Sequence, residues 1–189
     1  AINAGSLRNR GLEITLNTVP LKKDDLTWSS DINFSFNRSK VLEIREGLED
    51  EIVVASEFGY LSSNVYMIIK PGESYGSLYG RSFKRYYSAD EISQGLDKSD
   101  ELDKNRPLLI GANGFPVLES TSNRKKLGNV QPSWIGGWNN TVTYKNLSMN
   151  VLLDARVGQS RYNQLGNFMS AFGYADYTED RNDYKVFDG

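Results

Sequence analysis

The residues best able to do chemistry in this sequence are its carboxylates. Asp97, Asp100, Glu101, Asp103 and Asn105 have the composition of a calcium loop. They lack the spacing and the glycine of an EF-hand, so they read as a solvated loop. Glu43, Glu46, Glu49, Asp50 and Glu51 form a second acidic run that reads as solvated charge or a short amphipathic turn. Two carboxylates could serve a glycosidase, but no pair stands apart from the other loop acids. The 189 residues hold neither His nor Cys, which removes Ser-His-Asp triads, HExxH zinc sites, disulfides and cysteine nucleophiles. A net charge of −2 leaves no basic footprint for nucleic acid. The sequence therefore assigns no catalytic, cofactor or metal residue, and it reads as a non-enzyme.

Other polar and aromatic residues point to weak binding. Tyr86, Tyr87 and Phe115 offer faces on which a sugar ring can stack, although structural tyrosines are commoner. Asn33, Asn37, Asn139 and Asn146 each begin an Asn-x-Ser/Thr triplet, which chance explains in a chain rich in Asn and Ser. Asp154 and Arg156 fit either a hydrated lumen or a solvated surface pair worth under about 1 kcal/mol. No individual residue is assigned to substrate.

The elements that must position these groups are strands. In Leu26–Asn37, Leu26, Trp28, Ile32, Phe34 and Phe36 fall on one face, with Ser30 the exception, and the other face is polar throughout. Leu147, Met149, Val151, Leu153, Ala155 and Val157 repeat the pattern, with Leu152 out of place among the polar residues between them. A two-residue turn at Lys145-Asn146 sets Tyr144 opposite Leu147, Val142 opposite Met149 and Trp138 opposite Leu153. Asn140, facing Val151, is the misfit. Ordinary strands run about 5–6 residues, whereas a tilted strand needs roughly 9–11 to cross hydrocarbon.

Six strands follow: 11–19, 26–37, 61–70, 74–86, 134–144 and 147–157. Brief turns at 20–25, 71–73 and 145–146 alternate with long loops at 38–60, 87–133 and after 158, and 162–172 suits a short helix. This is the asymmetry of a membrane β-barrel, and six strands alone are too few to close one. Trp134, Trp138 and Tyr144 suit interfacial girdles. The expected fold is all-β, an antiparallel transmembrane barrel segment with long extracellular loops.

Several stretches resemble the C-terminal barrel of SusC/RagA-type TonB-dependent outer-membrane transporters. They are Asn3-Ala4-Gly5-Ser6, Asn9-Arg10-Gly11-Leu12-Glu13, Trp28, Asn33 to Asn37, Lys40-Val41 and Gly72 to Gly80. Gly128-Asn129, Pro132, Trp134, Gly136-Gly137, Asn139-Asn140 and Tyr144 to Asn146 resemble the late hairpin, followed by Asp154, Arg156 and Gly158. Gln159 departs from the pattern where a second glycine is common. The resemblance implies that 1–189 is part of a 22-stranded plugged barrel, with the plug domain and Ton box outside this chain. It also implies import of glycans, oligosaccharides or peptides across a Bacteroidota-type outer membrane. The partners it implies are outer-membrane lipid, a SusD-like surface lipoprotein as lid, and TonB acting through the Ton box. The rival readings are a soluble β-sandwich carbohydrate-binding module and a secreted β-rich glycosidase; both need the apolar faces buried in a compact core.

Overall fold

The computed structural model describes residues 5–44, 50–57, 65–99, 101, 103–120, 122–184 and 186. Its strands are β1 (Gly5–Lys23), β2 (Leu26–Ile44), β3 (Ile52–Glu57), β4 (Val65–Ile69), β5 (Ser77–Gly80), β6 (Lys125–Asn129), β7 (Trp134–Tyr144) and β8 (Leu147–Val157). Two helices, α1 (Ala89–Ser93) and α2 (Gln164–Phe172), accompany them. The chain divides into two units. The first comprises Ala1–Asp50, Lys70–Tyr75 and Asn129–Ser160, and the second the remainder.

The first unit is one antiparallel sheet in the order β1-β2-β7-β8. β1 and β2 are 19 residues each and turn through Asp24 and Asp25. The turn is thus shorter than 20–25, because β1 continues through Pro20. That proline falls where the register shifts between Thr18 and Leu21, the kind of irregularity at which a strand tolerates a missing N–H. β7 and β8 are 11 residues each. Their register matches the expected pairing throughout, including Thr143 with Ser148 and Asn140 with Val151. Lys145 makes the turn at φ 54°.

β2 pairs directly with β7, from Leu26 opposite Tyr144 to Ser35 opposite Ile135. All of 45–133 is therefore inserted between two neighbouring strands. Beyond Ser35 the segment Lys70–Tyr75 takes over the edge of β2. The Val41 N–H donates to the Glu73 carbonyl at 2.8 Å, the Gly72 N–H to the Val41 carbonyl at 2.9 Å, and the Tyr75 N–H to Ser39 Oγ at 3.1 Å.

This corrects the expectation of six wall strands. Among the described residues, 65–69 and 77–80 are short strands of a second sheet, ordered β3-β4-β5-β6, and the turn at 71–73 joins no wall strands. Residues 61–64 of the expected third strand lie outside the described residues. The segments read as loops at 38–60 and 87–133 also hold β3, α1 and β6. The physical reason is burial. Ile68, Ser77 and Tyr79 are almost wholly enclosed, so these short strands are core strands and not boundaries between two solvents.

Charged staples hold the second unit. Arg124 pairs with Glu51 and lies 4.7 Å above the Tyr66 ring, while Lys125 Nζ donates to the Ser99 carbonyl. α2 falls inside the expected 162–172. The Asn163 side chain caps it by accepting from the Gly166 N–H at 2.9 Å, and Gly173 ends it at φ 71°.

Gly11 is required by close approach. A Cβ there would sit 2.5 Å from the Phe36 carbonyl oxygen. Gly11→Val should cost about 1–3 kcal/mol by overpacking, whereas Asn9→Ala on the same strand should stay within about 0.5 kcal/mol. Thermal unfolding followed by β-sheet circular dichroism checks both; equal midpoints would contradict the close packing of β1 on β2.

Candidate functional site

The functional feature of the first unit is a sheet with two chemically opposite faces. Side chains directly opposite in an antiparallel pair share a face, so the registers sort the residues into rows. One face carries Leu21, Trp28, Val142 and Met149, then Leu16, Ile32, Trp138 and Leu153, then Ile14, Phe34, Gly136 and Ala155. Most of its large side chains are open: Leu12, Ile14 and Leu16 are about half exposed, and Leu147 is 72% exposed. A sandwich or a glycosidase core would have buried them.

The 11 residues of β7 extend about 37 Å at strand rise. Tilted by roughly 45°, they span about 26 Å, close to the apolar band of a membrane barrel. No helix among the described residues is long and apolar enough to cross a membrane.

The opposite face is a polar ladder. Asn150 Nδ2 donates to Asn139 Oδ1 at 2.8 Å and to Thr141 Oγ1 at 2.7 Å, and the Thr143 and Ser148 hydroxyls are 3.1 Å apart. Asn33 lies over Gly137, where an added Cβ would fall 2.7 Å from its amide oxygen. Asp154 and Arg156 stand on this face 3.7 Å apart and more than half exposed, a weak solvated pair.

Ser30 and Asn140, polar exceptions to the alternation, meet in one row on the apolar face; Leu152, opposite Asn139, is the apolar exception on the other face. Each of the polar two is satisfied by an indole. Trp138 Nε1 donates to Ser30 Oγ at 2.8 Å, and Trp28 Nε1 donates to Asn140 Oδ1 at 3.1 Å. Thr18, in the same row, donates its hydroxyl to the Ser30 carbonyl at 2.9 Å. Trp138 is therefore no girdle residue; it sits mid-band because its N–H is needed there. Tyr144 lies by the tight turn, and Trp134 lies at the far end with its ring 6.0 Å from Phe34.

In the second unit Asp103 of the acidic loop and Glu91 meet at Arg106. Its guanidinium donates to Glu91 at 2.7 Å, lies 3.3 Å from the Asp103 carboxylate and covers the Tyr87 ring at 4.2 Å. That ring face is thus taken, while Tyr86 and Phe115 are 56% and 61% exposed. Glu91 also closes a capping box with Ser88 at the start of α1, a Ser-x-x-Glu signal legible in the sequence. The hydrogen bond from Arg106, followed by that from the Ser88 N–H, holds the Glu91 carboxyl at about 2, below its ordinary 4.5. The same bond raises Arg106. Asp100 lies outside the described residues, and among those described no group of three or more acids could hold a metal ion.

The chain is 32% identical to TonB-dependent receptor P3 of Formosa agariphila over 157 residues, 82% of this chain and 15% of that protein. It is 31% identical to TonB-dependent receptor P26 of the same organism, over 85% of this chain and 16% of the relative. The structure titled "Structure of the RagAB peptide transporter" matches 82% of this chain and 16% of its own, with TM-score 0.51 and 18% identity, a likeness of fold. No family model matches. This chain corresponds to a segment of a TonB-dependent receptor. It spans roughly a sixth of these receptors' lengths, and all the compared proteins are named as receptors or transporters.

Two expectations follow for the receptor segment. Trp28→Phe should leave the Asn140 carbonyl unpaired on an apolar face and cost about 1–3 kcal/mol. Adding Asn140→Val should recover most of that loss, as read by thermal unfolding of the receptor in detergent; no recovery would show that the indole acts through packing alone. Because folding lowers the Glu91 pKa, its contribution is complete above about pH 4.5 and fades as pH falls toward 2. Protection factors across α1, corrected for the intrinsic pH dependence of amide exchange, should fall as pH drops through that interval in the wild type and be low and flat in Glu91→Gln.

Proposed function

We propose that this segment is wall and mouth of an outer-membrane importer driven through TonB. The observation that carries the reading is the exposed apolar face, about one hydrocarbon thickness tall, backed by a hydrogen-bonded polar face. Such a sheet is stable only where one side meets acyl chains and the other meets water. The edges of β1 and β8 would leave peptide groups unpaired in lipid, which is not tolerated. Further strands of the same receptor therefore continue the sheet on both sides into a plugged, multi-pass barrel, 22-stranded on the SusC/RagA pattern.

The brief turns at Asp24-Asp25 and Lys145-Asn146 face the periplasm, and 45–133 forms an extracellular mouth. A SusD-like lipoprotein closes over that mouth. The cargo is an oligosaccharide or a peptide, held by many weak hydrogen bonds on the polar face and by stacking on exposed loop aromatics such as Tyr86 and Phe115. The RagAB transporter is named for peptides, which supports testing peptides beside glycans as cargo. The segment contributes no covalent chemistry.

The segment has no cysteine, so in a receptor freed of cysteine elsewhere single cysteines report cleanly on each face. A fluorophore at Ile14→Cys or Leu153→Cys in the full-length receptor should be quenched by brominated acyl chains. One at Asn139→Cys should be quenched only by a water-soluble agent. The reverse pattern, or none, would refute the wall. Cells lacking the receptor should lose TonB-dependent uptake of a labelled oligosaccharide mixture or of a labelled peptide mixture, and whichever is lost names the cargo.

A further inference from the structure

The apolar face ends abruptly at the end away from the tight turns. Above the Leu12–Phe36 pair the next two rows are Arg10 opposite Arg38 and Arg8 opposite Lys40. The register is unbroken from Leu7 to Thr18, so these four cations share the face of Leu12, Ile14 and Leu16. All four are exposed. Like charges directly opposite on a sheet are destabilising, and here two such rows are stacked.

Among the described residues no carboxylate pairs with any of the four. Glu13 lies on the other face. Glu43 lies beyond the register shift at Ser6 and Leu7, where it accepts from Ser6 Oγ. Opposite residues have Cβ atoms about 5 Å apart and alternate residues of one strand about 7 Å apart, so the four charges form one compact patch. They border an open cleft of about 960 Å³ that Phe36, Gln131 and Ser133 also line.

We propose that Arg8, Arg10, Arg38 and Lys40 form a binding site for the phosphorylated headgroup of a lipid in the outer leaflet. The inference rests on the wall reading above. In that orientation the patch lies two to four residues past the last apolar pair, about 5–10 Å beyond the hydrocarbon edge. The neighbouring molecules at that depth are lipid headgroups, and their acyl chains continue down the band of Phe36, Phe34 and Ile14. Guanidinium groups suit this task because they hold phosphate oxygens through paired, charge-assisted hydrogen bonds. The amide of Gln131 and the hydroxyl of Ser133 give the cleft further donors for the sugar or glycerol part of a headgroup.

The test uses the full-length receptor in nanodiscs doped with lipid A, a phosphorylated diglucosamine lipid, or with the same lipid stripped of its phosphates. Retained lipid is counted by native mass spectrometry. Wild type should retain the phosphorylated form selectively. Each cation replaced by Gln should weaken retention about fivefold, and the fourfold variant should abolish the selectivity, while Lys104→Gln in the loops changes nothing. Equal retention of both lipids, or an unaffected fourfold variant, overturns the site. Displacement of the lipid by millimolar inorganic phosphate assigns the patch to free anions and overturns the lipid assignment. Heat-modifiable mobility on gels confirms that each variant is folded. If the Ile14 probe is quenched by lipid while the cation variants behave as wild type, this proposal fails and the wall stands. If that probe is not quenched, the wall reading itself has failed.

Discussion

A peptide group inside hydrocarbon has no water to bond, and every unpaired N–H or carbonyl there costs several kcal/mol. On the proposed wall reading, the architecture of the first unit follows from satisfying that demand along β2. On one side β1 accompanies it from Leu26 to Ile44. On the other side β7 serves it from Leu26 to Ser35, and Lys70–Tyr75 supplies partners at Ser39 and Val41. Val41 is only 2% exposed. Because the demand is met by strands adjacent in space, it places no limit on their separation in sequence, and so 45–133 can be inserted without disturbing the wall.

The same demand reaches the side chains. Ser30 and Asn140 would each carry a desolvation cost on an apolar face, yet their row also holds Thr18 and is flanked by two tryptophans. An indole presents a large apolar surface and one N–H donor. It therefore fills the band and satisfies a polar neighbour at once, which a phenylalanine or leucine could not do. The two polar violations of alternation and the two tryptophans are a single arrangement, built across three strands.

That arrangement shows where the sequence could be read and where it could not. The β7–β8 register was legible because both strands alternate and a two-residue turn leaves one consistent pairing. The placement of Trp138 was not, since its partner Ser30 is more than a hundred positions away and the contact exists only once β2 lies beside β7. The short strands misled for a different reason. Val65–Ile69 is a continuous apolar run, the pattern of a strand enclosed on both faces, and it was given the length of a wall strand. β1 and β2 were read too short at the loop-side end because a count of apolar residues stops where Arg10 and Arg38 begin. The alternation itself continues through those cations; only the polarity of the face changes. The capping box at Ser88 and Glu91 was present in the sequence, hidden in a stretch taken for loop.

Charge placement then measures the wall. In the second unit, cations find partners: Arg106 with Glu91 and Asp103, Arg124 with Glu51. On the apolar face of the first unit the charges stand only at its two ends, Lys23 beside Leu26 and Arg10 beside Arg38. Leu26 and Phe36, the first and last apolar positions of β2 on this face, are 10 residues apart, about 34 Å at strand rise. A tilt near 40–45° reduces that to about 25 Å, the height of the apolar band of a membrane barrel. A charged row inside that interval would meet no water, and an apolar row outside it would gain nothing from lipid. The end with one lysine needs only an interface at which to extend its ammonium. The other end crowds four cations with which no carboxylate among the described residues pairs, and a counter-anion there would relieve more of their repulsion than water and salt alone. The length of the band and the charge at its rim are thus two consequences of the same boundary.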